Sequence, residues 1–143
     1  MSAKLPVLLY EYQNPTVKGL DLGDRTLICG AEGWSLSVVD YAKFLQTLLF
    51  TEIIMSEKYR GYMLLGGPLE YKGSGMNMDN PLAGGNVYSH GAWIPWGKAQ
   101  VAGWYLYFEN TKLIVVVLSN AGHKPDWANW YDSVKQAYVQ TYG

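Results

Sequence analysis

Gln100-Val101-Ala102-Gly103-Trp104-Tyr105-Leu106-Tyr107-Phe108, then Glu109-Asn110-Thr111-Lys112, then Leu113-Ile114-Val115-Val116-Val117-Leu118-Ser119, is the stretch from which the fold is read. The first piece is rich in aromatic and small residues and has no proline, which suits a pleated surface. The last piece is apolar from Leu113 to Leu118 and β-branched at four of those six positions. Side chains alternate between the two faces of a strand, so an apolar residue at every position predicts cover on both faces. The connection Glu109–Lys112 is short, polar and contains Asn, which predicts an antiparallel hairpin.

Upstream, Tyr88-Ser89-His90-Gly91-Ala92 sets a histidine beside a backbone with almost no side chains, so that a ligand can lie against the main chain. Trp93-Ile94-Pro95-Trp96-Gly97 links it to the hairpin. Trp93 and Trp96, next to Pro and Gly, are candidates for stacking on a sugar or another flat ligand, or for packing a turn onto the core. Residues 65–86, rich in Gly with Pro and Asn among polar residues, predict a long loop forming one wall of a groove or a surface excursion.

Three helices are expected. Ser37 caps the first, with Asp40 three residues on, and Val38, Tyr41, Ala42, Leu45, Leu48 and Leu49 form one apolar stripe. A short helix over Ser56–Met63 follows it. The final helix follows Pro125 with Asp126 as its cap, and carries Trp127, Trp130, Tyr131, Val134, Tyr138 and Tyr142 at three and four spacing. Leu5–Tyr12 reads as a strand or extended segment. The expected fold is α+β, a single domain over residues 1–143 with an antiparallel sheet of three to five strands covered on at least one face by helices.

Composition narrows the function. Of 143 residues, 49% are hydrophobic, which excludes a disordered chain, and six Trp and twelve Tyr supply large rings with polar tips. Eleven basic and twelve acidic residues leave a net charge of -1, with Arg only at positions 25 and 60, so phosphate neutralisation and nucleic acid binding are not expected. One cysteine, Cys29, makes no intrachain disulfide, and His90 and His123 with it make no metal-ligand spacing. No metal or cofactor is expected. No apolar run has the length of a membrane span and the first ten residues do not read as a signal peptide, which leaves localisation open.

The order His-Gly-small residue, Gly-containing strand, then an apolar strand ending Val-Val-Leu-Ser-Asn resembles the C-terminal third of serine β-lactamase and penicillin-binding-protein-like hydrolases, closest to the class C type and its esterase and peptidase cousins. Gly33-Trp34-Ser35-Leu36-Ser37-Val38-Val39-Asp40-Tyr41-Ala42-Lys43-Phe44-Leu45 resembles the Gly-Gly-x-x-Ser-Thr-x-x-Asp-Leu-Ala-x-Phe helix of that family. The likeness runs over roughly residues 8 to 142. It implies that His90 is the Lys or His of the family's pocket strand, that Gly91 follows it in the motif, and that Trp93 supplies a backbone N–H to the oxyanion hole. Ala92 stands where the family usually has Gly. The family's nucleophile, a Ser-x-x-Lys at a helix start, occurs nowhere in these residues, and Ser56-Glu57-Lys58 has the wrong spacing. Tyr12-Gln13-Asn14 matches the family's Tyr-x-Asn only by chance, since that motif belongs much further upstream of the Ser37 helix. A Ser-His-Asp triad lacks a Gly-x-Ser-x-Gly elbow to single out a serine.

Two readings follow. In one, the residues are the C-terminal lobe of such a hydrolase, inactive alone and completed by an N-terminal segment. In the other, they form a non-catalytic ligand-binding or assembly module that uses the aromatic-rich sheet. Either leaves sheet surface uncovered, so self-association or an added segment is expected.

Overall fold

The computed structural model describes residues 36–65, 76–96, 99–120 and 124–143, together with Leu8. The expected segment Leu5–Tyr12, the Tyr12-Gln13-Asn14 string, Cys29 and His123 therefore lie outside the described residues, apart from Leu8. The elements run α1 Val38–Phe50, α2 Glu57–Leu65, β1 Asn77–Leu82, β2 Gly85–Trp96, β3 Ala99–Phe108, β4 Leu113–Ser119 and α3 Lys124–Tyr142. The four strands form one antiparallel sheet in the order β1-β2-β3-β4, an α+β fold as expected.

Helices cover both faces of the sheet. On one face Tyr88, Tyr105 and Tyr107 pack with Leu45, Leu48 and Leu49 of α1 and Met63 of α2, and Ile114 and Val116 of β4 lie against this cluster. On the other, Val87, Trp104, Leu106 and Phe108 pack with Tyr138, bordered by Tyr131 and Val134 of α3. The division follows from strand alternation: odd residues of β3 face α1, and even residues face α3. Trp104 through Phe108 are all buried, because β3 is an interior strand with a helix on each side. The all-apolar β4 is lined on both faces as its sequence predicts, through Ile114 and Val116 on one and Val115 and Val117 on the other. It is only half-buried, since it is the outermost strand among the described residues.

Helix α1 begins as its sequence predicts. The Ser37 side chain accepts the Asp40 backbone N–H at 3.1 Å, which satisfies a donor the helix leaves free and contributes about 1 kcal/mol. Its stripe buries Leu45, Leu48 and Leu49, while Val38 remains exposed at the N-terminus. The helix ends at Phe50, and a series of bends after Thr51 leads to α2. Helix α3 starts at Lys124, so Asp126 lies in its first turn rather than at the cap. Pro125 is tolerated there because the first helical N–H groups have no intrahelical acceptor to lose.

Two expectations need correction. The span 65–86 is not one loop: β1 occupies Asn77–Leu82 and turns into β2 through Ala83 and Gly84, both at positive φ. That two-residue turn matches the right-handed twist of the flanking strands. Its neighbour Gly85 is needed for contact, since a Cβ there would sit 2.5 Å from Cβ of Asn110 in the β3–β4 turn. Asn110 Nδ2 in turn donates to the Ala83 carbonyl at 3.1 Å, tying the two turns together. The second correction concerns Trp93–Trp96, which continue β2 and pair with β3 out to Trp96↔Ala99 instead of forming a link.

Candidate functional site

The β2 segment His90–Trp93 becomes a site by what stops beside it. Strand β1 pairs with β2 only as far as Asn77↔Ser89, whereas β3 accompanies β2 to Trp96. Strand β2 is thus interior up to Ser89 and, among the described residues, open on one side from His90 onward.

The direction of each amide follows from one hydrogen bond. The Glu109 N–H donates to the Asn86 carbonyl at 3.0 Å, which extends the register Val87↔Phe108 by one pair and makes that pair hydrogen-bonded. Hydrogen-bonded and non-hydrogen-bonded pairs alternate along an antiparallel ladder. Even residues of β2 therefore bond to β3, and odd residues turn their N–H and C=O groups away from it. Val87 is directed at β1 in this way, and Ser89 likewise. Gly91 and Trp93 have the same direction with β1 ended, so their amides face the open side. Pro95 shares this parity, which is the only one that accepts a residue with no N–H inside a strand.

His90 is exposed and stands opposite Tyr105, on the α1 face of the sheet. Gly91 and Ala92 are exposed as well. Ala92 lies across from Gly103, where a Cβ would come within 3.0 Å of Leu118 Cδ2. The histidine, the two small residues and the Trp93 amide expected from sequence thus fall on one continuous segment. The side chains of Trp93 and Trp96 lie outside the described residues, so their stacking role is carried no further.

Beneath His90 lies a bed of tyrosines. Tyr41 of α1 meets Tyr105 edge-to-face at 6.0 Å, and Tyr88 stacks with Tyr107 at 5.9 Å. Desolvation holds the Tyr41, Tyr88, Tyr105 and Tyr107 phenols above their ordinary range, with nearby Glu109 adding to the effect at Tyr88 and Tyr107. A raised folded pKa stabilises the fold below the unfolded pKa of about 10, and that contribution is lost as pH rises beyond it. The melting temperature is therefore expected to hold between pH 7 and about 9.5 and to fall steadily above about 10. A flat profile to pH 11 would contradict this burial.

A second polar group, invisible in the sequence, sits on the α3 face. Tyr131 donates to Oδ2 of Asp79, Lys135 Nζ lies 3.3 Å from the same oxygen, and the Ser89 side chain lies beside the Tyr131 phenol. Asp79 and Tyr131 are 52 positions apart, and only the placement of α3 brings them together. Among the described residues no group of three or more His, Cys, Asp or Glu is placed to hold a metal ion. None of the described helices is long and apolar enough to cross a membrane.

Comparison of the chain with protein-family models, with curated proteins and with solved structures gives no match.

Proposed function

We propose that these residues are the C-terminal lobe of a serine β-lactamase-like hydrolase, which contributes the pocket strand and one oxyanion donor while a complementary segment contributes the Ser-x-x-Lys nucleophile. The observation that carries this reading is the open half of β2, where an exposed His90 side chain accompanies a Trp93 amide directed away from β3. An N–H fixed in a rigid ladder opposes the charge that develops on an attacked carbonyl without having to reorganise during reaction. In this reading His90 donates or accepts a proton beside that amide. Without a serine activated by lysine, the lobe alone does not form an acyl-enzyme.

A second reading is favoured by the far edge of the sheet. A groove of about 440 Å³ runs between α1 and β4, lined by Val38, Val39, Phe50, Ile114, Val116 and Lys112. Strand β1 is blunted by Pro81 and an irregular register, but β4 has neither charge nor proline along Leu113–Ser119. Among the described residues β4 is an outer strand, with the Leu8 carbonyl accepting from Asn120 Nδ2 at 2.9 Å just beyond its end, and such an edge suits an assembly module that adds a strand from a second copy or from a partner. It serves the lobe reading equally, as the place where a complementary segment joins the sheet.

Acylation of the species that carries these residues in its native source separates the readings. A serine-reactive acylating probe is expected to label a Ser-x-x-Lys serine within that species. Absence of any labelled serine would leave the assembly module.

A further inference from the structure

The face of the sheet opposite His90 carries side chains that the proposed chemistry does not use. Tyr131 donates to Asp79 of β1, lies beside the Ser89 side chain of β2, and has its ring centre 4.2 Å from Nζ of Lys135, which in turn pairs with Asp79 at 3.3 Å. Ser89 is only 6% exposed. It is also the last β2 residue paired with β1, and it immediately precedes His90. One phenol is therefore bonded to β1 and set beside β2 near the point where their ladder ends.

Catalysis by this group is ruled out by its own surroundings. Burial first, and the bond to Asp79 second, keep the Tyr131 phenol well above its ordinary range, so it stays neutral and makes a poor base. Ser89 is enclosed, and the Lys135 ammonium is held by a carboxylate. The same features suit a clamp. Beyond Ser89, among the described residues, only β3 pairs with β2, so whatever fixes the Asn77↔Ser89 end of the ladder also sets the direction of the segment that follows.

The geometry points to Tyr131 as a positioning residue, which acts through Asp79 and Ser89 to hold the end of the β1–β2 ladder and thereby to aim the open segment His90–Trp93. The inference rests on the reading of that segment as the site. Helix α3, whose described core contacts lie on the opposite face of the sheet, then controls the segment from behind.

Amide hydrogen exchange and amide chemical shifts in the full chain test this. Tyr131→Phe removes only the hydroxyl and keeps the ring against Trp104, 5.6 Å away. Exchange at Val87 and Ser89 is expected to rise at least about tenfold, an opening of about 1.4 kcal/mol. The amide shifts of Gly91 and Trp93 should move with it, while exchange within β3 and β4 stays within about twofold. Asp79→Asn keeps an acceptor for the phenol and should preserve the protection at Val87 and Ser89. Ser89→Ala leaves the Asp79 contacts intact, so it provides a folded variant in which the shifts at Gly91 and Trp93 should still move. A uniform rise across all four strands would reduce Tyr131 to a fold-stabilising residue and overturn the proposal. Unchanged shifts at residues 90–93, or equal loss of protection in Asp79→Asn, would overturn it too. None of these readouts involves turnover, so this inference and the hydrolase reading fail separately.

Discussion

Trp104→Ala is expected to cost about 3–5 kcal/mol, a third or more of the stability of an ordinary domain. Trp104 is 1% exposed at the centre of β3, between Gly91 and Val117 across the ladders and edge-on to Tyr131 of α3. Its removal leaves a cavity between the sheet and α3 that neither strand can close, since β3 is held on both sides. Urea denaturation reads the loss directly, and a change below about 1 kcal/mol would contradict the placement of α3 on this face. The conservative variant sharpens the test. The Trp104 indole N–H is buried and has no hydrogen-bond partner among the described residues. Trp104→Phe removes that unsatisfied donor together with part of the ring, and an unsatisfied buried donor costs about 1–3 kcal/mol. Trp104→Phe should therefore destabilise far less than its lost volume suggests.

The second large effect concerns chemistry with stability held constant. Trp93→Pro deletes one N–H and sets φ near the value Pro95 already adopts two residues on. Because the Trp93 amide faces away from β3, the ladder loses no bond, and the unfolding midpoint should move little. Under the proposed function, the same substitution in the acylating species removes one oxyanion donor, which costs about 10²–10³ in rate, or about 2.7–4 kcal/mol. Ala92→Pro is the control of opposite parity. It breaks a bond to β3 and should destabilise the sheet, whatever its effect on rate. Equal destabilisation by both prolines would refute the alternation on which the site is built.

How much of this was legible in the sequence differs from element to element. The hairpin of β3 and β4 was readable because aromatic and β-branched runs flank a short polar connection, and α1 was readable because Ser37 and Asp40 announce its start. Strand β1 was not. Asn77-Met78-Asp79-Asn80-Pro81 has low strand propensity, and it becomes a strand by pairing with β2 rather than by local preference. Its turn, Ala83-Gly84, lacks the Asn-Gly or Asp-Gly signal of such hairpins. Trp93–Trp96 read as a link because Pro95 argues against an interior strand, yet proline fits where its missing N–H would have faced away from the partner.

The site was half-legible for the same reason. His90, Gly91 and Trp93 were picked out by their order, but order alone does not tell where β1 stops, and that end is what opens the segment. The clamp of Asp79, Ser89, Tyr131 and Lys135 left no local signal beyond Tyr131 and Lys135 lying one helical turn apart. Tyr131 read as part of the apolar stripe, and its ring does pack against the core. Only its hydroxyl has the second task.

The central claim is that the open half of β2 is one wall of an acyl-transfer site completed by a Ser-x-x-Lys segment. Its most direct test is to isolate the species carrying these residues from its native source, react it with a serine-directed acylating probe, and locate the label by mass spectrometry. The account predicts one labelled serine, in a Ser-x-x-Lys sequence of that species, with labelling slowed by Trp93→Pro. A species with no labelled serine, or one whose labelling is indifferent to Trp93→Pro and to His90→Ala, would contradict it.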